Sequence, residues 1–143
     1  NSREQLNKIK ALVKVGVNEG GDCYQSSCTL PSKGFWFKPT IFTGVAQSSR
    51  IVQEEIFGPV LSIQTFRTVE EAIEKANNTP YGLSGGVWSD KGSKVFKVTS
   101  KIKAGVLWAN TYNKFDPTSP FGGFKESGMG REGGMHGLNA YLK

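Results

Sequence analysis

The sequence predicts an α/β fold with a mainly parallel sheet flanked by helices. Segments whose apolar residues recur at helical spacing alternate with short apolar runs that are typical of strands. Such alternation is the pattern of α/β domains. The 18 glycines concentrate after residue 81, where they mark turns between these segments. A length of 143 residues suits one domain or a part of one, and we assign residues 1–143 to a single domain.

The first part of the chain predicts one long helix. Over residues 1–18, Leu6, Ile9 and Val17 recur at helical spacing among lysines, and a Gly-Gly pair follows. The segments after it are a short strand at 23–27, an extended stretch at 35–42, a helical turn at 51–55 and a strand at 60–66.

The second part begins with a helix start signal. Thr68 and Glu71 fit a capping box, in which the threonine caps the helix and the glutamate reaches back. Pro80 marks where this helix has ended. The segments after it are a strand at 82–88, a helix capped by Ser89-Asp90 and ended by Gly105, a strand at 106–109, a loop-rich stretch at 110–134 and a helix at 135–143.

Composition and charge exclude several classes of protein. The 18 Lys and Arg exceed the 12 Asp and Glu to give +6, but the lysines are scattered as on a solvated surface, so we expect no nucleic-acid partner. No apolar run approaches the roughly 20 residues of a membrane span. The chain opens on a polar, charged helical pattern rather than a signal peptide, which predicts a cytoplasmic protein.

The stretch 54–60 carries the most chemistry. Glu54 and Glu55 stand directly before an aromatic residue and a Gly-Pro break, and an apolar strand follows. A carboxylate at a strand entrance can accept two hydrogen bonds from a vicinal diol such as that of a ribose. The alternative is a solvated acidic pair at the end of a short helix, and spacing alone does not separate the two.

Three blocks in one order carry a family resemblance. They are residues 54–59, residues 76–83, and residues 105–110 running on to 119–128. Together they resemble the C-terminal half of the catalytic domain of the aldehyde dehydrogenase superfamily, and the resemblance covers essentially the whole chain. Smaller details resemble the type-16, two-module subfamily: Leu30-Pro31, Trp88-Ser89-Asp90, Lys125-Glu126-Ser127-Gly128 and the ending Tyr141-Leu142-Lys143.

The resemblance implies a role for five residues. Glu55 is similar to the carboxylate that holds the nicotinamide-side ribose of NAD, and Phe57 to the aromatic packed beside it. Phe115 and Phe121 are similar to aromatics that line the aldehyde tunnel; for Phe121, ordinary core packing is an equal alternative. Asn110 matches a position near the active-site loop, and we favour for it the capping of that loop by Asx-type bonds. The implied cofactor is NAD, with NADP as the alternative.

The resemblance also implies an activity, the oxidation of aldehydes to carboxylic acids, and a homo-oligomer (a dimer or a tetramer) when the protein is full length. The family places its cysteine nucleophile in a Gly-Gln-x-Cys segment, which this sequence lacks. We therefore expect a fragment that has no catalytic residue of its own and is inactive alone. The alternative is a non-catalytic scaffold of the same fold, but a scaffold has no need of Glu55 and Phe57.

Several other features are rejected as sites. Residues 128–133 spell G-x-G-x-x-G without the strand and the downstream acid that a dinucleotide-binding loop requires. Arg131 and Glu132 within it are expected to anchor the loop against the rest of the enzyme by ion pairing. Cys23 and Cys28 form no C-x-x-C and are interpreted as bystanders, and His136 as a surface histidine; no metal site is predicted.

Overall fold

The computed structural model describes residues 2–142. These residues form two compact units, Asn1–Thr65 and Phe66–Lys143. Both units combine helices with short strands, which confirms the α/β class. Two strand pairings are parallel, as the alternating pattern predicts, and two are antiparallel.

The first unit contains a long helix, a three-stranded sheet and one short helix. Its elements are α1 (Arg3–Asn18), β1 (Asp22–Gln25), β2 (Thr40–Thr43), α2 (Arg50–Gln53) and β3 (Val60–Ser62). The sheet order is β1-β2-β3, with β1 antiparallel and β3 parallel to β2.

Helix α1 forms because its first turn is capped and one face is apolar. The Ser2 hydroxyl accepts a hydrogen bond from the backbone N–H of Gln5 at 3.1 Å. The apolar face supplies Ile9 and Leu12 to a core that is centred on Phe42, which is fully buried. The helix ends at Asn18 as predicted, whereas its predicted start at Asn1 lies outside the described residues.

Two predicted strands of the first unit are shorter than expected. Of the stretch 35–42, only residues from Thr40 onward pair in the sheet, because Pro39 has no N–H to donate to a ladder. Strand β3 ends at Ser62 rather than at Phe66, although the N–H of Ile63 still donates to the carbonyl of Phe42 at 2.8 Å.

The second unit alternates helices with very short strands. Its elements are α3 (Val69–Asn77), β4 (Tyr81–Gly82), β5 (Ser84–Val87), α4 (Gly92–Thr99), β6 (Val106–Ala109), β7 (Phe124–Lys125) and α5 (Gly134–Asn139). β5 pairs with β6 in parallel, and β4 pairs with β7 antiparallel.

The capping box of α3 is present. The Thr68 hydroxyl accepts from the N–H of Glu71 at 3.1 Å. The Glu71 carboxylate returns to the N–H of Arg67 at 2.7 Å, one residue before the cap. The same carboxylate accepts a hydrogen bond from Lys75, which is the main reason that the pKa of Glu71 is lowered.

The predicted bounds of α4 are wrong at both ends. The helix follows Lys91, and no side chain caps it; Ser89 is instead held by Asn110. The helix ends at Thr99 rather than near Gly105, because Asn77 draws the following segment away. Its side chain donates to the carbonyl of residue 101 at 2.9 Å and accepts from the N–H of residue 103 at 2.7 Å.

Two further boundaries differ from the prediction. The strand expected at 82–88 is divided at Leu83, because β4 pairs with β7 whereas β5 pairs with β6. The loop-rich stretch 110–134 therefore contains one short strand, β7. The last helix, predicted over 135–143, is shorter than expected: it ends at Asn139, and residues 140–142 are not helical.

Candidate functional site

The Glu54–Pro59 loop joins α2 to β3, and its two carboxylates differ in whether a partner binds them. The Arg50 guanidinium makes two contacts with Glu54, at 2.6 Å (Nε–Oε1) and 3.2 Å (Nη2–Oε2). This hydrogen bond lowers the pKa of Glu54 and raises that of Arg50. Glu55 is exposed, and within residues 2–142 nothing hydrogen-bonds or ion-pairs with its carboxylate. Of the two acids, Glu55 is therefore the one that is free to bind a ligand.

Phe57 lies two residues further along in a backbone conformation that aromatic residues rarely adopt. Its φ is +54°, in the left-handed region, and its side chain is 69% exposed. This conformation costs a bulky residue on the order of 1–3 kcal/mol and persists only where the surroundings impose it. The exposed ring is thus presented by a strained backbone.

Helix α1 holds this loop from behind. The side-chain amide nitrogen of Gln5 donates to the carbonyl of Ile56 at 3.1 Å and to that of Phe57 at 2.8 Å. Gly58 packs so closely on the helix that a Cβ there would lie 2.6 Å from the Cδ1 atom of Ile9. The loop is therefore fixed at two adjacent points along α1.

A pocket of about 280 Å³ opens beside the loop. Its wall combines apolar side chains with a few polar ones from the loop and from β3: Ile51, Val52, Glu54, Ile56, Phe57, Gly58, Val60, Ser62 and Gln64. This volume is near the lower limit for small-molecule sites. It can admit part of a ligand, such as a sugar or one planar ring, against Phe57.

In the second unit, aromatic residues at the end of β6 form a contiguous cluster. Trp108 is 7% exposed and donates its indole N–H to the carbonyl of Lys114 at 2.9 Å. Its ring meets Tyr112 edge-on at 5.1 Å and Phe115 at 5.5 Å. Phe115 in turn meets Phe121 at 5.0 Å. The structure thus brings Phe115 and Phe121 into contact, with Phe115 56% exposed and Phe121 half-buried.

The backbone on either side of Phe121 is fixed by the segment that follows β7. Phe121 exchanges two hydrogen bonds with Glu132, both at 2.7 Å. Arg131 donates from its Nη1 atom to the carbonyls of residues 123, 129 and 130, and its guanidinium lies 5.0 Å from the ring centroid of Phe124. Within residues 2–142, Arg131 thus donates to loop carbonyls, and the backbone of Glu132 pairs with Phe121. The expected ion pairing of Arg131 and Glu132 with the rest of the enzyme stays a prediction.

This geometry also argues against a phosphate-binding role for the G-x-G-x-x-G motif at 128–133. Carbonyl oxygens of Gly130 and Met129 converge on a guanidinium, so the loop gathers acceptors around a cation. A phosphate loop requires the opposite polarity, with backbone N–H groups that point at the ligand.

Asn110 caps a different segment from the one that we favoured: its side chain bonds the backbone of Ser89, 21 residues earlier, rather than its own loop. Its φ is +53°, and its N–H donates to the carbonyl of Val87 at 2.8 Å. Its side-chain amide accepts from the N–H of Ser89 at 2.8 Å and donates to the carbonyl of Ser89 at 3.0 Å. The side chain thereby continues the β5–β6 pairing for one more residue.

Sequence reasoning missed two residues that hold these segments in place. One is Gln5 in α1; the other is Lys125, which donates from Nζ to the carbonyls of Asn77 and Thr79, both at 2.9 Å. Both side chains reach backbone groups more than 40 residues away, so no local pattern signals them.

The two cysteines and the histidine that were rejected as site residues lie at the surface. Cys23 and Cys28 are free and exposed, and His136 is exposed on α5. In the part of the chain that the structure describes, no group of three or more His, Cys, Asp or Glu side chains is placed to hold a metal ion. None of the helices in that part is long and apolar enough to cross a membrane.

Comparison with known proteins gives one consistent family. The profile of the Aldehyde dehydrogenase family matches residues 1–143. An aldehyde dehydrogenase of Enchytraeus buchholzi is 45% identical over 139 residues, which are 97% of this chain and 28% of that protein. Retinal dehydrogenase 2 of Gallus gallus is also 45% identical, over 97% of this chain and 27% of its own length.

Solved structures agree with these relatives. The NAD+ complex of an aldehyde dehydrogenase from Bacillus cereus matches with a TM-score of 0.93 and 41% identity, over 99% of this chain and 29% of that one. Indole-3-acetaldehyde dehydrogenase of P. syringae, in complex with NAD+ and IAA, matches with a TM-score of 0.92 and 42% identity, over 98% and 29%. The chain thus spans less than a third of the length of the relatives it matches. The chain belongs to the aldehyde dehydrogenase family.

Proposed function

We propose that this chain is the C-terminal portion of the catalytic domain of an NAD(P)-dependent aldehyde dehydrogenase, which oxidises aldehydes to carboxylic acids. The family match over the whole chain supports the activity, and the coverage of 27–29% of the relatives supports a portion of a larger protein. The sequence contains no Gly-Gln-x-Cys segment, so the nucleophile belongs to residues outside this chain.

The observation that carries the proposal is that Glu55, with a free carboxylate among residues 2–142, and Phe57, with an exposed ring, stand two residues apart in the same loop. Each of the two carboxylate oxygens can accept a hydrogen bond from one hydroxyl of a ribose diol, and such charge-assisted bonds are strong. The exposed ring of Phe57 offers a flat apolar face in the same loop. These side chains suit the nicotinamide-side ribose of NAD, which supplies a hydride acceptor when bound. The role of this chain is to orient that ribose.

Phe115 and Phe121 are proposed to form part of the wall of the aldehyde tunnel. Their edge-to-face contact makes a rigid apolar surface, and Phe115 is exposed enough to meet a substrate. A dry wall protects a reacting thioester from premature attack by water and strengthens polar interactions within the site.

We propose NAD as the cofactor, because relatives of known structure are NAD+ complexes, and NADP remains the alternative. A cytoplasmic location is supported by a mouse relative named aldehyde dehydrogenase, cytosolic 1, which is 44% identical over 99% of this chain. The full-length protein is proposed to be a homo-oligomer, a dimer or a tetramer. The type-16 assignment stays a prediction.

The test compares the 143-residue chain with the whole polypeptide whose coding sequence contains it. With NAD and a panel of aliphatic and aromatic aldehydes, the whole polypeptide should produce NADH and the isolated chain should produce none. Turnover by the isolated chain would overturn the proposal that the catalytic nucleophile lies outside this chain. A whole polypeptide that neither binds NADH nor oxidises any aldehyde would favour the non-catalytic scaffold.

A further inference from the structure

We propose that Gln5 is a positioning residue, which sets the backbone of the Glu54–Pro59 loop and through it the coenzyme contacts of Glu55 and Phe57. This inference rests on the proposed function of that loop. It concerns a residue in helix α1 that lies about 50 positions earlier in the sequence.

One nitrogen atom of Gln5 serves two consecutive carbonyls of the loop. The side-chain amide has two N–H bonds, and its contacts at 3.1 Å to Ile56 and 2.8 Å to Phe57 use one each. In extended backbone, consecutive residues face opposite sides. Two adjacent carbonyls therefore reach one donor atom only where the chain turns, and the left-handed φ of Phe57 supplies this turn.

Gln5 is itself well fixed. It occupies the first turn of α1, where its backbone N–H is bound by the Ser2 hydroxyl, and its side chain is partly shielded from solvent. One helical turn later, Ile9 is buried against Gly58. Helix α1 therefore holds the loop through two contacts, the apolar packing of Ile9 on Gly58 and the hydrogen bonds from Gln5.

Ile9 holds the loop by packing at Gly58, whereas the hydrogen bonds to the carbonyls of Ile56 and Phe57 come from Gln5. Loss of these two N–H donors should therefore let Phe57 leave the strained left-handed region. The ring and the neighbouring carboxylate would then no longer face the ribose together. We expect Gln5→Met to weaken NADH binding about tenfold, which corresponds to ~1.4 kcal/mol. The KM for NAD should rise similarly, whereas the KM for the aldehyde should stay within about twofold.

Gln5→Glu is the second variant, since it keeps the shape of the side chain but replaces both donors with acceptors that face carbonyl oxygens. Its effect on NADH affinity should equal or exceed that of Gln5→Met. Asn7→Met is the matched control: Asn7 is exposed on the same helix, and no described residue hydrogen-bonds with its side chain. This control should bind NADH like the wild type.

The experiment uses the whole polypeptide and measures NADH affinity by fluorescence titration. It also measures the KM for NAD, the KM for the aldehyde, kcat and the thermal unfolding temperature. A double-mutant cycle adds Gln5→Met to a Glu55→Ala, Phe57→Ala background. If Gln5 acts through the loop, the additional change should weaken NADH binding less than twofold. Additive losses would overturn the inference, because Gln5 would then act independently of the loop.

Other outcomes are equally decisive. Unchanged NADH affinity in both Gln5 variants, in a wild type that binds NADH and oxidises aldehydes, refutes the inference and leaves the proposed function intact. If neither variant folds, the role of Gln5 is structural and the inference is wrong. If the wild type itself binds no NADH, the proposed function fails first and the inference fails with it.

Discussion

Gly105 is the position where the structure tolerates a side chain least, and replacing it tests the packing of the second unit. A Cβ atom at Gly105 would lie 1.6 Å from the carbonyl oxygen of Gly122 and 2.7 Å from its carbonyl carbon. Real Cβ contacts are essentially never shorter than 3.0 Å, so the Gly122 carbonyl must move by about 1.4 Å, the difference between 3.0 and 1.6 Å. Because the obstacle is backbone, rotation of a side chain cannot relieve it.

We expect Gly105→Ala to destabilise the protein by about 3 kcal/mol, at the upper end of the usual cost of overpacking. With a denaturant dependence of about 2 kcal/mol per molar urea, the unfolding midpoint should fall by roughly 1.5 M. Since Gly122 follows Phe121, the displaced backbone should also alter the Phe115–Phe121 contact and raise the KM for aldehyde in the whole polypeptide.

Gly92→Ala is the matched control for this prediction. Gly92 is the first residue of α4, and no heavy atom lies within 4 Å of the Cβ it would gain. Alanine there should be neutral or should stabilise the protein by up to about 0.5–1 kcal/mol, because it restricts the unfolded chain and favours helix. Urea unfolding followed by circular dichroism compares the two variants with the wild type. A Gly105→Ala midpoint within about 0.3 M of the wild type would refute this packing argument.

Two further predictions concern the second unit. Lys125→Met should destabilise the second unit by about 1–2 kcal/mol, because it removes two charge-assisted hydrogen bonds to carbonyls near the end of α3. The value is at the low end for such bonds because Lys125 is exposed to solvent. A urea midpoint equal to that of the wild type would contradict this prediction. The lowered pKa of Glu71, caused first by its hydrogen bond with Lys75, stabilises the fold above the ordinary pKa of 4.5. That stability should fade as the pH drops through the lowered folded-state pKa, so Glu71→Gln should flatten the acid side of the stability profile; an unchanged profile in acid titrations would show that this carboxylate does not contribute.

The sequence predicted those features whose cause is local. The start of α3 follows from Thr68 and Glu71 three residues apart, and β6 from a short apolar run between a glycine and Asn110. Glu55 and Phe57 were recognisable as candidates because the Glu54–Pro59 loop is contiguous in sequence. The structure added which of the two acids is free, since that depends on Arg50 one turn earlier.

The features that sequence reasoning missed depend on contacts across long stretches of chain. Asn77 binds residues 101 and 103, 24 and 26 positions away, where α4 has already ended. Residues 100–104 contain neither the glycine nor the proline that would signal this end in the sequence. No local pattern predicted that the Arg131 guanidinium donates to the carbonyls of residues 123, 129 and 130. Nor does any local pattern predict the left-handed φ of Phe57, because aromatic residues disfavour it. The side chain that binds its carbonyl, Gln5, comes from 52 positions earlier in the sequence.

The most direct test of the central claim compares Glu55→Ala with Glu54→Ala in the whole polypeptide. Both variants remove one carboxylate from the same loop, but Glu54 is already occupied by Arg50, whereas Glu55 is free. Loss of hydrogen bonds to a charged group costs about 1.5–3 kcal/mol, so NADH should bind at least about tenfold more weakly to Glu55→Ala and nearly normally to Glu54→Ala. Equal affinity of Glu55→Ala and the wild type for NADH, or a larger loss in Glu54→Ala, would contradict the assignment of Glu55 as the carboxylate that holds the ribose.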